Sequence, residues 1–176
     1  MDDQEIAWVE SDSSLCCQSG VHDLFWYPQS DAKTVEDAFE LYIVPKFHSK
    51  YQAARAMEDF LETLDRARRG VLKPVREVRI ITPTVTKPWV VFEIKNNWDN
   101  TQRSAQRRGY VGSRLFHGEP EERPNSIVAT WLMVKVEDAD DEATRSKQTG
   151  AAKQAAFRLD ECERRGWSCI EPIRLS

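Results

Sequence analysis

The sequence predicts an α+β domain with a mainly antiparallel sheet of four to five strands. A possible strand comes first, two helical patterns and then about four strand-like segments follow, and one long helical pattern ends the series. Helices and strands that occur in separate runs, rather than alternating, are typical of α+β folds. At 176 residues, 40% apolar and 31% charged, the chain is long enough for one domain with a substantial core. We expect the helices to cover one face of the sheet.

We treat residues 1–176 as a single domain with three parts: an acidic N-terminal extension at 1–33, a core at 34–165 and a tail at 166–176. The extension contains one apolar cluster, Val21–Tyr27, which Pro28 closes. Because proline lacks a backbone donor and is confined to strand ends and edges, this cluster predicts a first strand that ends there.

An N-terminal helical pair follows. Thr34 is the predicted N-cap of the first helix, acidic residues occupy its first turn, and Pro45 ends it. The second helix is predicted from about Ser49 to Arg69. Gly70 then supplies the left-handed residue that commonly follows a helix.

The pattern next changes to that of strands. The predicted strands are Val75–Ile81, Trp89–Lys95, Gly109–His117 and Ile127–Val136. Pro83 and Thr84 predict a turn that makes the first two a hairpin, and the apolar last strand is expected at the centre of the sheet. A long final helix is predicted from about Asp141 to Arg165, with Gly166 at its end.

Charge is distributed unevenly along the chain. Met1–Asp65 carries a net charge of −10, Arg66–Arg114 carries +9, and Leu115–Ser176 carries −3. A basic segment in an otherwise acidic chain predicts a surface for polyanions such as nucleic acids.

The sequence also indicates where in the cell the protein is located. No apolar run is long enough for a membrane span and the N-terminus lacks an apolar signal region, so we expect a cytoplasmic protein with no membrane partner. Cysteines in that compartment are expected to be reduced, and their spacing lacks the two close pairs typical of zinc sites. We therefore expect no metal and no cofactor. The alternative is a single zinc site in which all four thiols bind the ion. The cysteines are Cys16, Cys17, Cys162 and Cys169.

Several pieces of the chain follow one another in an order known from bacterial toxins. They are Gly70–Pro74, Val90–Lys95, Tyr110–Phe116, Ile127–Lys135 and the helix to Arg165. This order resembles the RelE/HigB-like toxin superfamily, particularly its phage-derived HigB-like branch, over roughly residues 34–165. The chain differs from that family in its greater length, its net charge of −4 and the acidic turn that follows Lys135.

The resemblance implies a ribosome-associated mRNA endonuclease with RNA or the ribosome as target and an antitoxin as a protein partner. The catalytic candidates that it implies are Lys95, Tyr110, Arg114 and His117. Metal-free cleavage needs a base, cations that stabilise the phosphorane and an acid for the leaving group. His117 or Tyr110 would transfer protons, with the cations on the same face of the sheet.

Further basic and aromatic residues are expected to bind the nucleic acid. They are Arg79, Trp98, Arg103, Arg107 and Arg108. Because Trp98 lies in a polar run, we expect it to be exposed, where it would stack on a base or anchor an interface. The plain alternative is that it covers the sheet edge.

Two other functions remain open. Glu93 and Lys95 lie on one face of a strand and resemble the Glu-x-Lys half of a Mg²⁺-dependent PD-(D/E)xK nuclease, with Glu77 as the second carboxylate. The simpler interpretation of this pair is a cross-strand ion pair on the solvent face. The last alternative is a non-enzymatic, phage- or plasmid-encoded protein that binds and inhibits a protein partner.

Overall fold

The computed structural model describes residues 14–81, 88–102, 109–136 and 141–176. Within these ranges, six strands form one sheet in the order β2-β3-β4-β5-β1-β6. The strands are β1 (Asp23–Trp26), β2 (Val78–Ile81), β3 (Val91–Asp99), β4 (Tyr110–Gly118), β5 (Ser126–Val136) and β6 (Glu171–Pro172). The helices are α1 (Val35–Tyr42), α2 (Lys50–Arg68) and α3 (Asp141–Arg164).

The helix termini follow from local chemistry. Thr34 forms a capping box with Asp37, in which each side chain accepts a hydrogen bond from the other residue's backbone N–H at 3.0 Å. The hydroxyl of Ser49 caps α2 by accepting from the Gln52 N–H at 3.1 Å. Gly70 adopts φ +67° after α2, a conformation that costs glycine little. The predicted helical pair is therefore matched in outline, with both N-caps, but α1 ends at Tyr42 and Pro45 lies in a short 3-10 helix, Val44–Lys46.

The sheet is mainly antiparallel, as predicted, but it has six strands instead of four or five. β2 pairs antiparallel with β3, so the predicted hairpin is confirmed; its predicted turn at Pro83 and Thr84 lies outside the described residues. β3, β4 and β5 continue the antiparallel ladder. β1 is the exception, because it runs parallel to β5 and lies between β5 and β6.

Helices cover both faces of the sheet, so the expectation of one covered face was wrong. The reason is that successive strand residues alternate between faces and both sets include apolar side chains that need to be buried. Ile80 and Phe92 face α1 and α2, whereas Val91 and Phe116 face α3. α3 meets the second face with small side chains, which include Ala151, Ala152, Ala155 and Ala156.

The two terminal parts of the chain pack into the domain. In the N-terminal extension, Leu24 and Trp26 of β1 are buried in the cluster beneath α1 and α2. In the C-terminal tail, β6 pairs with β1 and extends the sheet. Among the described residues, no helix combines the length and the apolar character that crossing a bilayer requires.

Candidate functional site

The register between β3 and β4 decides which predicted side chains share a face. Lys95 lies opposite Arg114, and Tyr110 lies four residues before Arg114 on the same strand, so these three point towards α3. His117 follows Arg114 by three residues and lies opposite Phe92, on the side of α1 and α2. The predicted catalytic set therefore does not occupy one surface: His117 is separated from the other three.

On the α3 face, charged side chains surround one buried carboxylate. We call this group the Glu93 cluster, and its members are Arg79, Glu93, Lys95, Arg114 and Lys135. Glu93 is fully buried and accepts a hydrogen bond from the Nε of Arg79, its cross-strand partner. Arg114 Nε lies 3.4 Å from Glu93 Oε1, and Gln148 of α3 donates to the same oxygen at 3.2 Å. The alternative of a cross-strand ion pair thus describes Glu93, but the partner is Arg79 and the carboxylate is buried.

Lys95 is half-buried beside these arginines. Its Nζ donates to the backbone carbonyl of Val75, a β-branched residue held at φ +62°. This left-handed conformation is strained for a β-branched side chain and occurs preferentially at functional sites. Burial lowers the pKa of Lys95, and the positive charge of Arg79 lowers it further. A larger share of Lys95 is therefore neutral than for a free lysine.

Arg114 is fixed by its neighbours. Its guanidinium donates to the Asn96 carbonyl at 2.9 Å and to Asn97 Oδ1 at 3.1 Å. Gly112 leaves the room for it, because a Cβ there would lie 3.0 Å from Arg114 Nη1 and only 2.7 Å from Asn97 Oδ1. Burial lowers the pKa of Arg114, yet a guanidinium stays charged in proteins. Arg114 thus supplies a fixed positive charge with little freedom to move.

The Glu93 cluster carries an excess of positive charge. Lys135 lies opposite Gly112 on β5 and is close enough to lower the pKa of Lys95. Four cations face one carboxylate, which gives the cluster a net charge of +3. Tyr110 adds a phenol on the same face. Such a group in a half-buried setting is suited to bind an anion.

The structure gives the two carboxylates of the Mg²⁺ alternative separate partners. Glu77 accepts hydrogen bonds from Arg66 at 2.6 and 2.9 Å and from the Lys73 N–H at 2.8 Å. Glu93 is held by Arg79 and Arg114, as described above. Each carboxylate therefore has its charge balanced by arginine.

Trp98 is not the exposed platform that its polar context predicted. It is partly buried, and its ring makes an edge contact with Phe39 at 5.6 Å and a tilted contact with Phe47 at 6.1 Å. The correction follows from strand parity, because Trp98 points to the side of α1. The predicted contacts Arg103, Arg107 and Arg108 lie outside the described residues.

His117 belongs to a second polar group on the opposite face, which we call the Cys16 cluster: Cys16, His117 and Glu119. Cys16 Sγ lies 3.6 Å from His117 Nε2, and Glu119 Oε1 lies 3.2 Å from the same nitrogen. Burial opposes a charged imidazole, but Cys16 and Glu119 outweigh it and raise the pKa of His117 to about 10. Cys162 belongs to α3 and is buried on the other side of the sheet from Cys16, so the described residues do not form a site that pools four thiols.

Sequence reasoning missed the partners of both clusters. The alternation of side chains along a strand was a usable signal. Arg114 and His117 are three residues apart, and residues at an odd spacing on a strand point to opposite faces of the sheet. His117 and Glu119 also have a suggestive spacing of two at a strand end. No local signal places Cys16 beside His117, 101 residues away, or Gln148 beside Glu93.

Comparisons of the chain with protein-family models, curated proteins and solved structures found no match in any of the three.

Proposed function

We propose that the protein binds RNA through the Glu93 cluster and cleaves it there as a metal-free endoribonuclease. The observation that carries the proposal is the Glu93 cluster: Arg79 and Arg114 hold the buried carboxylate of Glu93. Lys95 and Lys135 lie on the same face of the sheet, so the five side chains sum to a formal charge of +3. RNA phosphates are the polyanion that suits such a surface. The order of elements, a helical pair followed by strands and a long helix, also agrees with the order expected from the RelE/HigB-like resemblance.

Lys95 is the proposed general base. Its lowered pKa raises the fraction of neutral amine, which is the form that accepts a proton from a ribose 2′-hydroxyl. The 2′-oxygen then attacks the adjacent phosphorus, the bond to the 5′-oxygen breaks, and that oxygen takes up a proton from Tyr110. Arg79 and Arg114 stabilise the charge on the phosphorane. The products are a 2′,3′-cyclic phosphate and a 5′-hydroxyl.

The first test compares Lys95→Ala and Lys95→Arg with the control Lys153→Ala, which removes an exposed lysine from α3. Induced expression of the wild type and of Lys153→Ala is expected to arrest growth, and both Lys95 variants are expected to relieve the arrest. Lys95→Arg should retain RNA binding but lose cleavage, because a guanidinium does not act as a base near neutral pH. Binding is measured by anisotropy of a labelled RNA, and cleavage by gel analysis of free RNA and of mRNA on translating ribosomes.

The pH profile gives a second readout for the same base. Cleavage requires neutral Lys95, so its rate should rise with pH up to a pKa below the ordinary lysine value of 10.5. Cleavage of free RNA that disappears in EDTA and leaves 5′-phosphate ends would instead indicate the Mg²⁺-dependent alternative. Harmless expression together with no RNA binding at low salt would contradict both nuclease proposals and favour a protein that inhibits a partner.

A further inference from the structure

The Cys16 cluster places three different metal-binding groups around one point. Among the described residues, Cys16, His117 and Glu119 form the group whose potential ligand atoms all lie within 4.8 Å of one another. The side chains of Cys16 and His117 are fully buried, and that of Glu119 is 12% exposed. A thiol, an imidazole and a carboxylate that converge in this way form a set of donors typical of zinc sites.

Two of the three separations between ligand atoms fit a tetrahedral ion, and the third, between Cys16 Sγ and the Glu119 carboxylate, is within 4.8 Å. Zinc binds sulfur at about 2.3 Å and nitrogen or oxygen at about 2.0 Å, so tetrahedral ligands lie about 3.5 Å apart for S···N and about 3.3 Å apart for N···O. The corresponding separations are 3.6 Å between Cys16 Sγ and His117 Nε2 and 3.2 Å between that nitrogen and Glu119 Oε1. Both neighbours approach the same ring nitrogen, which has at most one proton to donate. A cation between the three groups would satisfy all of them together.

The surrounding residues hold the ligands in place. Ser14 Oγ donates to Glu119 Oε1 at 2.8 Å, and the Leu15 N–H approaches the two carboxylate oxygens at 3.0 and 3.1 Å. The ring of His117 stacks on Phe92 with a centroid separation of 5.3 Å. Supports of this kind orient metal ligands and maintain affinity. Among the described residues, His117 Nδ1 has no hydrogen-bond partner, so the polar contacts of this ring are made at Nε2.

We propose that Cys16, His117 and Glu119 bind one Zn²⁺ ion and that this ion fastens the N-terminal segment to the end of β4. The sulfur and nitrogen donors favour zinc over Mg²⁺ or Ca²⁺, which prefer oxygen ligands. Cys16 binds as the thiolate and releases its proton to solvent, and a water molecule completes the tetrahedron. The site is independent of the proposed RNA cleavage, because it lies on the opposite face of the sheet from Lys95.

The test uses Cys17, which follows Cys16 in the sequence, as a matched control. Zinc content and the absorption of Co²⁺-substituted protein are measured for the wild type, Cys16→Ser, Cys17→Ser and Glu119→Gln under reducing conditions. The wild type and Cys17→Ser are expected to hold about one metal per chain and to give a thiolate-to-cobalt charge-transfer band with tetrahedral visible bands. Cys16→Ser should lose the charge-transfer band, and Glu119→Gln should weaken metal binding at least tenfold.

Folding of each variant is checked by circular dichroism, and EDTA is expected to lower the melting temperature of the wild type but not that of Cys16→Ser. Wild-type protein without the cobalt charge-transfer band would overturn the proposal. Equal metal content in Cys16→Ser and Cys17→Ser would overturn it as well. Lys95→Ala should keep its zinc whether or not RNA cleavage is observed, so the two proposals fail separately.

Discussion

Glu93 shows how a single residue can suggest one chemistry in the sequence and serve another role in the fold. Its spacing to Lys95 resembles a nuclease half-motif, but the side chain is fully buried between Arg79 and Arg114. A buried carboxylate with two arginine partners and a glutamine donor is a structural ion-pair network, in which each charge depends on the others. In the proposed mechanism the general base is therefore Lys95, and Glu93 has a structural role.

Glu93→Ala is therefore expected to destabilise the fold by about 3–5 kcal/mol, because it leaves Arg114 buried without its carboxylate partner. The matched control is Asp160→Ala, which breaks an exposed ion pair with Arg164 and should change the free energy of unfolding by about 0.5 kcal/mol or less. Urea unfolding of the two variants measures the difference. Equal stabilities would contradict the role of Glu93 as the centre of a buried network.

Among the elements, α3 illustrates why the covered faces were mispredicted. Its buried side is built from alanines, Leu159 and Cys162, and the sheet beneath it contributes Val91 and Phe116. Small residues let the helix approach closely, and at Gly118 the approach leaves no room for a side chain. A Cβ at Gly118 would lie 2.5 Å from Leu159 Cδ1.

Gly118→Ala should therefore destabilise the protein by about 1–3 kcal/mol through overpacking between β4 and α3. Gly150→Ala in the same helix is the control, since a Cβ there meets nothing within 4 Å and alanine favours the helix by about 0.5–1 kcal/mol. Thermal unfolding should thus move in opposite directions for the two changes. A neutral Gly118→Ala would mean that α3 lies farther from the sheet.

At the scale of the whole molecule, the fold brings basic residues that are distant in the sequence together in the Glu93 cluster. The basic segment Arg66–Arg114 includes β2, β3 and most of β4, so its cations Arg79, Lys95 and Arg114 become neighbours across adjacent strands. Lys135 joins them from β5, although it belongs to the acidic third. The net charge of −4 for the chain therefore conceals a group of basic side chains on the α3 face of the sheet.

RNA binding should accordingly weaken as salt increases, because cations that contact phosphates release counterions. At a pH below the pKa of Lys95, where its amine is protonated, Lys95→Ala should reduce the slope of log K against log salt by about 0.7 for a single-stranded RNA, which corresponds to one phosphate contact. Lys33→Ala, an exposed lysine in the acidic third, should leave the slope unchanged. Anisotropy titrations over a salt series measure both slopes, and identical slopes for Lys95→Ala and the wild type would exclude a phosphate contact at Lys95.

The sequence by itself determined most of the elements and the N-caps of the first two helices. Caps such as Thr34 and Ser49 and the C-terminal glycine Gly70 act through hydrogen bonds and backbone conformations within a few residues, so their effects are readable locally. The α+β class and the antiparallel ladder also followed from the order of those elements. Of the candidate site, the sequence predicted the basic character and the location of Lys95 and Arg114 on strands. The register that pairs them came only from the structure.

Tertiary structure decided what depends on contacts between distant segments. It inserted β1 parallel to β5, placed helices on both faces and brought Cys16 to His117, 101 residues apart in the sequence. These outcomes depend on which apolar faces can be buried together, a property of the whole chain that no local pattern encodes. The same packing buried Glu93 and His117 on opposite faces of the sheet, and thereby divided one predicted catalytic surface into two separate clusters.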